Sequence, residues 1–467
     1  MKTVKQLQEW LWQPVDIAVL AYFRIGFGAI LLWEVQRYFA HGWIEAYWMK
    51  PDFNFTYPGF GWVQPWPGEG MIWHFAVLGV LALFISLGFF YRLSALLFFV
   101  GFTYIFLLEQ ARYLNHFYLI CLLSYLLIFL PAHRLCSVDV LRRPKLLSQT
   151  APAWTLWLLR FQIAVPYFYG GIAKLNGDWL QGEPMRLWLA SSTDFPLVGQ
   201  FFTAEWMVYL LSYSGLLLDL LIVPLLLWRR TRLGAFALIT LFHLTNARLF
   251  SIGIFPWFMI AATAIFFDPS WPRRVFGRLS KVSVKSISPK SEAELAGNAA
   301  SGKAIASLRH RRLVAACLLI YVSLQCLLPL RHYLYPGNVN WTEEGHRFAW
   351  HMKLRDKDSR AEFLVRDPAT QQVVSVLPEQ FLARWQVRKM GGRPDMVLQF
   401  AHYLAETLLA QGDESLEVRT RVWVSLNGRS PQLLIDPFVD LAQEKQSLRP
   451  ADWILPLDEP LPLRSSQ

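Results

Sequence analysis

Four short stretches of this chain place costly polar side chains inside or at the edge of apolar segments, and their residue types suit proton chemistry. The run Phe161 to Met185, FQIAVPYFYGGIAKLNGDWLQGEPM, closes a long apolar block on Lys174 and continues to Asn176, Asp178, Trp179 and Glu183. The others are Arg112-Tyr113-Leu114-Asn115-His116, the stretch Phe242 to Leu249 with His243 and Asn246, and WTEEGHRFAWHMKLR from Trp341 to Arg355. An ammonium taken out of water loses the solvation that favours its charge, so a lysine in such a place can serve as a base near neutral pH. The alternative for Lys174 is an interfacial anchor whose stem lies in lipid while its head reaches the headgroups. His116 either caps a helix or exchanges a proton beside a bound substrate. Polar groups at membrane depth usually line a bundle interior or a cavity, which favours convergence of the four stretches on one site.

The elements that must position these residues are membrane helices. Of the 467 residues, 54% are apolar, with 21 Trp and 34 Phe, and the mean hydropathy is +0.29. The apolar residues come in blocks at about Ile17 to Val35, Ile72 to Phe90, Leu93 to Leu108, Phe117 to Pro131, Trp154 to Ile172, Met207 to Trp228, Leu233 to Leu249, Ile252 to Phe267 and Leu313 to Leu330. This pattern predicts a polytopic α-helical membrane protein of about nine transmembrane helices, several near the short limit. The amino end has a weakly basic start and an apolar run interrupted by Arg24 and Glu34, which reads as a retained signal anchor.

The net charge of +11 is uneven. The loop from Asp268 to Arg312 carries ten basic residues against three acidic ones, and further basic residues gather at Lys2 and Lys5, at Arg92, from Arg134 to Lys145, and at Arg229, Arg230 and Arg232. With nine crossings all of these fall on one face, which the positive-inside rule makes cytoplasmic. The N-terminus is then inside, and the four polar stretches and the tail after Leu330 are outside. The charge therefore reads as topology, and no nucleic-acid partner is expected; an anionic-lipid contact of the 268–312 loop stays open.

Four regions follow: a transmembrane domain over 1–276 with eight spans, a flexible cytoplasmic linker over 277–308 rich in Ser, Ala, Lys and Gly, a last transmembrane helix over 309–330, and an extracytoplasmic domain over 331–467. The last is expected to be α+β or mostly β. Asp395 to Leu409 has helical spacing, while Glu362 to Val365, Gln372 to Val376, Val418 to Leu426 and Gln432 to Ile435 are strand-like, and Asn427-Gly428 predicts a hairpin turn. The loop Tyr38 to Gly70, dense in aromatics, Pro and Gly, suits either an interfacial lid or an ordinary aromatic belt. Cys121, Cys136, Cys317 and Cys326 lie in or beside spans, so no disulfide framework is expected. The sequence contains no phosphate-binding Gly-rich loop, GxSxG elbow, HExxH pair, haem-attachment sequence or Cys/His metal spacing, and no metal is expected.

At these stretches the chain resembles the vitamin K-dependent gamma-glutamyl carboxylase family, within the wider group sharing the horizontally transferred transmembrane domain. The resemblance is carried, in order, by ARYLNHFYL, CSVDVL, YFYGGIAKLNGDWLQGEPM, FHLTNARLFSIGIFPWFM, DPSWPRR, NWTEEGHRFAWHMKLR and VWVSLNGRSPQLLIDPFVD, and runs from the first span to about Asp440. It implies that Lys174 deprotonates a vitamin K hydroquinone and that His116 handles a proton in the carboxylation step. It further implies a substrate or cofactor pocket made by Asn115, His243, Asn246, Trp350, Asp178 and Trp179. The implied co-substrates are vitamin K hydroquinone, or menaquinol in a bacterial inner-membrane member, with O2 and CO2. Oxidation of the hydroquinone would generate a strongly basic alkoxide, kept from water in the bilayer, that removes the γ-proton of a glutamate in a peptide or protein; CO2 then adds, giving γ-carboxyglutamate and the 2,3-epoxide.

The chain departs from the animal members. Lys174 is preceded by Ala173 and followed by Asn176-Gly177-Asp178, where they carry a second lysine and a more acidic run. The tail is shorter and lacks the cysteine of their disulfide. Two other readings stand beside the carboxylase: a vitamin K or menaquinol epoxidase without peptide carboxylation, and a non-catalytic membrane lipid or peptide binder or transporter, although the paired broken-helix halves of many transporters are not visible.

Overall fold

A computed structural model describes residues 4–250, 252–277, 308–409 and 416–462. The linker expected over 277–308 lies almost wholly outside the described residues. Each apolar block forms a helix: α1 (Ala18–Ala40), α2 (Gly70–Leu87), α3 (Tyr91–Leu108), α4 (Asn115–Phe129), α5 (Ala153–Ala173), α6 (Glu205–Leu227), α7 (Arg232–Phe250), α8 (Phe255–Thr263) and α9 (Leu308–Leu327). Among the described residues six helices are long and apolar enough to cross a membrane: α1, α2, α3, α6, α7 and the segment Arg309–Leu334 that contains α9. The chain is an integral membrane protein. Helix α4 and the segment Phe255–Phe266 are apolar but shorter, and α5 carries Arg160, Gln162 and Pro166 within its length. The nine crossings expected from the sequence require these three to cross as well.

The polar residues inside α1 are structural. The guanidinium of Arg24 is fully buried and donates to the carbonyls of Ile85, Ser86, Ala132 and Cys136 at 2.5–3.1 Å. It thereby supplies donors to carbonyls at the end of α2, where Ile85 also accepts from the Gly88 amide, and in the loop after α4. Glu34 is paired with Arg37 at 2.5 Å. Two short strands, β1 (Pro14–Asp16) and β2 (Thr150–Pro152), pair antiparallel and tie the start of α1 to the start of α5.

The domain after α9 is α+β. Strands β3 (Lys357–Arg366), β4 (Val373–Val376), β5 (Glu417–Leu426) and β6 (Gln432–Leu433) form an antiparallel sheet in the order β4-β3-β5-β6. Helix α10 (Arg384–Met390) precedes α11 (Pro394–Leu409), whose Met396, Val397, Phe400, Ala401 and Leu404 share a core with Phe363, Val418 and Val422 of the sheet. Asn427 and Gly428 turn β5 into β6 with φ of 54° and 79°, the left-handed pair a tight hairpin requires. The loop between α1 and α2 packs partly on this domain: Phe55 enters its core and Phe53 packs on Tyr403 at 4.5 Å, while Trp62 is 77% exposed.

The segment before β3 carries a buried charge cluster. Glu343 takes Arg355 at 2.5 Å, Lys357 at 2.9 Å and His346 at 3.1 Å. Burial alone would raise its carboxyl, but Arg355 and Lys357 hold it well below the usual carboxylate range. Burial also pushes the His346 imidazole well below its ordinary value, against the pull of Glu343, and brings His351 down to about 3, with His332 and Arg355 adding to the effect. The His351 ring, whose two nitrogens are buried with no hydrogen-bond partner among the described residues, therefore enters the fold neutral, whereas each nitrogen of His346 faces an oxygen of Glu343. Below about pH 6.5 the unfolded chain binds a proton on His351 that the folded chain does not, so stability falls as the pH falls, by about 1.4 kcal/mol per pH unit. The Glu343 contribution has the same sign in a lower window: it is intact above the ordinary carboxyl pKa and is lost as the pH falls from there toward its depressed folded value. Thermal unfolding is expected at progressively lower temperature between pH 7 and pH 5, and an unchanged midpoint across that range would contradict the neutral burial of His351.

Candidate active site

Lys174 ends α5, and what brings it to a partner is a pair of glycines one turn earlier. A Cβ on Gly171 would lie 2.7 Å from Leu220 Cδ2 and 3.1 Å from the Leu220 backbone nitrogen, so only a bare Cα lets α5 approach α6 this closely. One on Gly170 would meet Asp219 Oδ2 at 3.3 Å and Met352 at 3.0 Å. In the gap so made, Lys174 Nζ donates to Asp219 Oδ2 at 2.5 Å and to the Gly170 carbonyl at 3.2 Å. Lys174 and Asp219 are each 5% exposed. The Trp179 ring lies 5.3 Å from the ammonium and is fixed by its Nε1 donating to the Ser212 carbonyl at 2.9 Å. The third ammonium donor has no hydrogen bond to the protein among the described residues.

A cavity of about 130 Å3 opens over this pair, lined also by Tyr167, Trp179, His243, Asn246, Phe255 and Lys353. Its wall is largely apolar and aromatic with few convergent polar groups, the usual make-up of a small-molecule site. His243 Nε2 is 2.8 Å from Tyr167 Oη, and Tyr167 Oη is 3.4 Å from Thr263 Oγ1. The other ring nitrogen, Nδ1, is buried with no hydrogen-bond partner among the described residues. Whichever tautomer His243 holds, Nδ1 is the nitrogen left for a ligand, as donor in one and acceptor in the other. A larger depression of about 590 Å3 lies around residues 331–348 and 444–454, and none of the predicted site residues lines it.

Of the residues expected from the sequence, Lys174, Trp179, His243 and Asn246 line the cavity together. His116 stacks on Phe255 at 5.4 Å, and His243 meets the same ring edge-on at 5.9 Å, so Phe255 stands between the two histidines. Asn115 is a bracket: its Oδ1 accepts from Tyr113 Oη at 3.0 Å and its Nδ2 donates to the His351 carbonyl at 3.1 Å, while the Phe348 amide donates to Tyr113 Oη at 2.8 Å. These bonds hold a strap in which Phe348, Trp350 and Lys353 have φ of 66°, 61° and 50°, a strained conformation for such residues and one that collects at functional sites. Trp350 is buried and packs on Tyr118 at 5.0 Å, and the strap beyond it lays Met352 against Gly170. Asp178 is turned away from the cavity. Its carboxylate takes two bonds from Arg429 at 2.6 and 2.7 Å and one from Asn427 at 2.7 Å, locking the β5–β6 turn onto the membrane domain.

The sequence reading missed Asp219, Tyr167 and Lys353. A signal for Asp219 was present: it is the one acidic residue between Met207 and Trp228, and a carboxylate inside an apolar block calls for a buried cation.

Residues 12–271 match the family model described as HTTM domain, which defines the membrane part. Residues 310–460 match the model described as vitamin K-dependent gamma-carboxylase, lumenal domain. The chain belongs to the vitamin K-dependent gamma-carboxylase family. No solved structure matches it.

Proposed function

We propose that this protein is a vitamin K-dependent carboxylase of peptidyl glutamate, with Lys174 as the base that starts the reaction. The reading is carried by the buried Lys174–Asp219 pair at the wall of an apolar cavity, in a chain whose two halves match the two parts of the family. The cavity suits a hydroquinone ring: its aromatic walls offer stacking surface, Lys174 offers a polar contact to a ring oxygen, and the His243 ring, whose Nδ1 has no hydrogen-bond partner among the described residues, lines the same wall. Oxidised by O2 to its 2,3-epoxide with release of water, the hydroquinone supplies a base stronger than any side chain.

The chain's own part is positioning, proton removal and exclusion of water. With the proton shared by the pair resting on Asp219, Lys174 is the free amine that takes the hydroquinone proton, and Asp219 keeps that amine aimed. His243, held through Tyr167, orients the second ring oxygen. The strap from Phe348 to Lys353, bracketed by Asn115, covers the cavity from the side of the exported domain, which keeps water from quenching the base. His116, behind Phe255, is the proton-handling group for the carboxylation half, in which the γ C–H bond of glutamate breaks and a C–C bond to CO2 forms. The fold would use nine crossings, with the N-terminus cytoplasmic and the site at the outer face. Quinol arrives from lipid and peptide from water.

Purified protein given vitamin K hydroquinone, O2, labelled CO2 and a glutamyl peptide is expected to form epoxide and to fix label in the peptide. Epoxide with no fixed label would leave a quinol epoxidase, and neither product would remove the enzymatic reading.

A further inference from the structure

The cavity carries a second cation that the quinol half of the reaction does not use. Lys353 reaches its mouth from the strap, with its ammonium 4.4 Å from the Phe250 ring and 5.2 Å from the Trp188 ring. The cage is itself held in place, since Trp188 Nε1 donates to Asp356 Oδ2 at 2.8 Å. No ion pair of the described residues includes Lys353, whereas Lys174 is neutralised by Asp219. Of the charged residues that line the cavity, Lys353 is therefore the one outside an ion pair, with Asp356 as the carboxylate whose field reaches it. Aromatic faces stabilise a cation without cancelling its charge, so the site stays attractive to an anion.

We propose that Lys353 is the docking point for the γ-carboxylate of the glutamyl substrate, an inference that rests on the carboxylase reading above. Hydroquinone arrives neutral and O2 and CO2 are uncharged, so among the co-substrates only the glutamyl side chain brings an anion. Lys353 also lies on the exported domain's strap, on the side from which a peptide arrives. Its charge serves the chemistry as well as the binding. Breaking the C–H bond next to an ionised carboxylate leaves a second negative charge within two bonds of the first, and an adjacent ammonium lowers the energy of that arrangement.

The test compares two short fluorescent peptides, identical except for Glu or Gln at the acceptor position, for binding to the full-length protein in lipid nanodiscs. The wild type is expected to prefer the Glu peptide by about tenfold. Lys353→Met is expected to bring the two within about twofold, and Lys353→Arg to keep most of the preference. In label fixation the KM for the Glu peptide is expected to rise at least as much as the binding constant in Lys353→Met, and to change less in Lys353→Arg. Equal binding of the two peptides by the wild type, or an undiminished preference in Lys353→Met, would overturn the inference. If the wild type forms epoxide and fixes no label, the carboxylase reading fails, and the binding ratio still decides the role of Lys353 by itself.

Discussion

Lys174→Met is expected to lower hydroquinone oxidation by about 10²–10⁴-fold, the range over which a positioned base acts. It also strands Asp219 as a buried carboxylate without its cation, which costs about 3–5 kcal/mol of stability, so loss of activity by itself would be ambiguous. The pair provides its own control. Changing both members, Lys174→Met with Asp219→Leu, removes both charges and fills the space with apolar atoms, and buried ion pairs replaced in this way are often neutral for stability or better. The double variant is therefore expected to melt near the wild type and to remain inactive. Wild-type epoxide formation in a folded double variant would show that Lys174 is an anchor and not a base.

Arg429→Met is expected to produce the same initial loss for a different reason. It leaves Asp178 buried, with only Asn427 to satisfy it among the described residues, at a cost of about 3–5 kcal/mol, and it loosens the hairpin that seats the C-terminal domain on the membrane domain. With the strap no longer held down, oxidation and carboxylation are expected to fall together. Here the compensating double, Asp178→Asn with Arg429→Met, is expected to recover both thermal stability and activity. The two carboxylates thus separate on one readout: a neutralised Asp178 pair restores turnover and a neutralised Lys174 pair does not. Recovery of stability without turnover in the Asp178 double would assign Asp178 to the chemistry and overturn its role as a latch.

The parts legible in the sequence were those written in local pattern. Apolar blocks gave the helices, Asn427-Gly428 gave the hairpin turn, and polar residues at block ends gave Lys174, Trp179, His243 and Asn246, all of which line one cavity. The rest depended on distance in three dimensions. Asp178 lies four residues from Lys174, yet its carboxylate is spent on Arg429, 251 residues away in the chain, because the short helix Gly177–Leu180 turns it outward. Asp219 lies 45 residues from Lys174 and meets it only because Gly171 lets two helices nearly touch. Asn115 does its work through Tyr113 and the backbone of a strap whose conformation no local pattern announces. The three short or polar helices α4, α5 and α8 read as spans by composition but fall at the limit of length or apolarity, so the number of crossings is the feature least fixed by pattern.

The central claim is that oxidation of a hydroquinone in the Lys174 cavity creates a base that acts on glutamate. Release of tritium from a peptide labelled at the γ-carbon of its glutamate measures that step before CO2 enters. Release is expected to require both hydroquinone and O2, to persist without CO2 and to disappear in the Lys174→Met, Asp219→Leu protein. Epoxide formation with tritium retained in the peptide would contradict it.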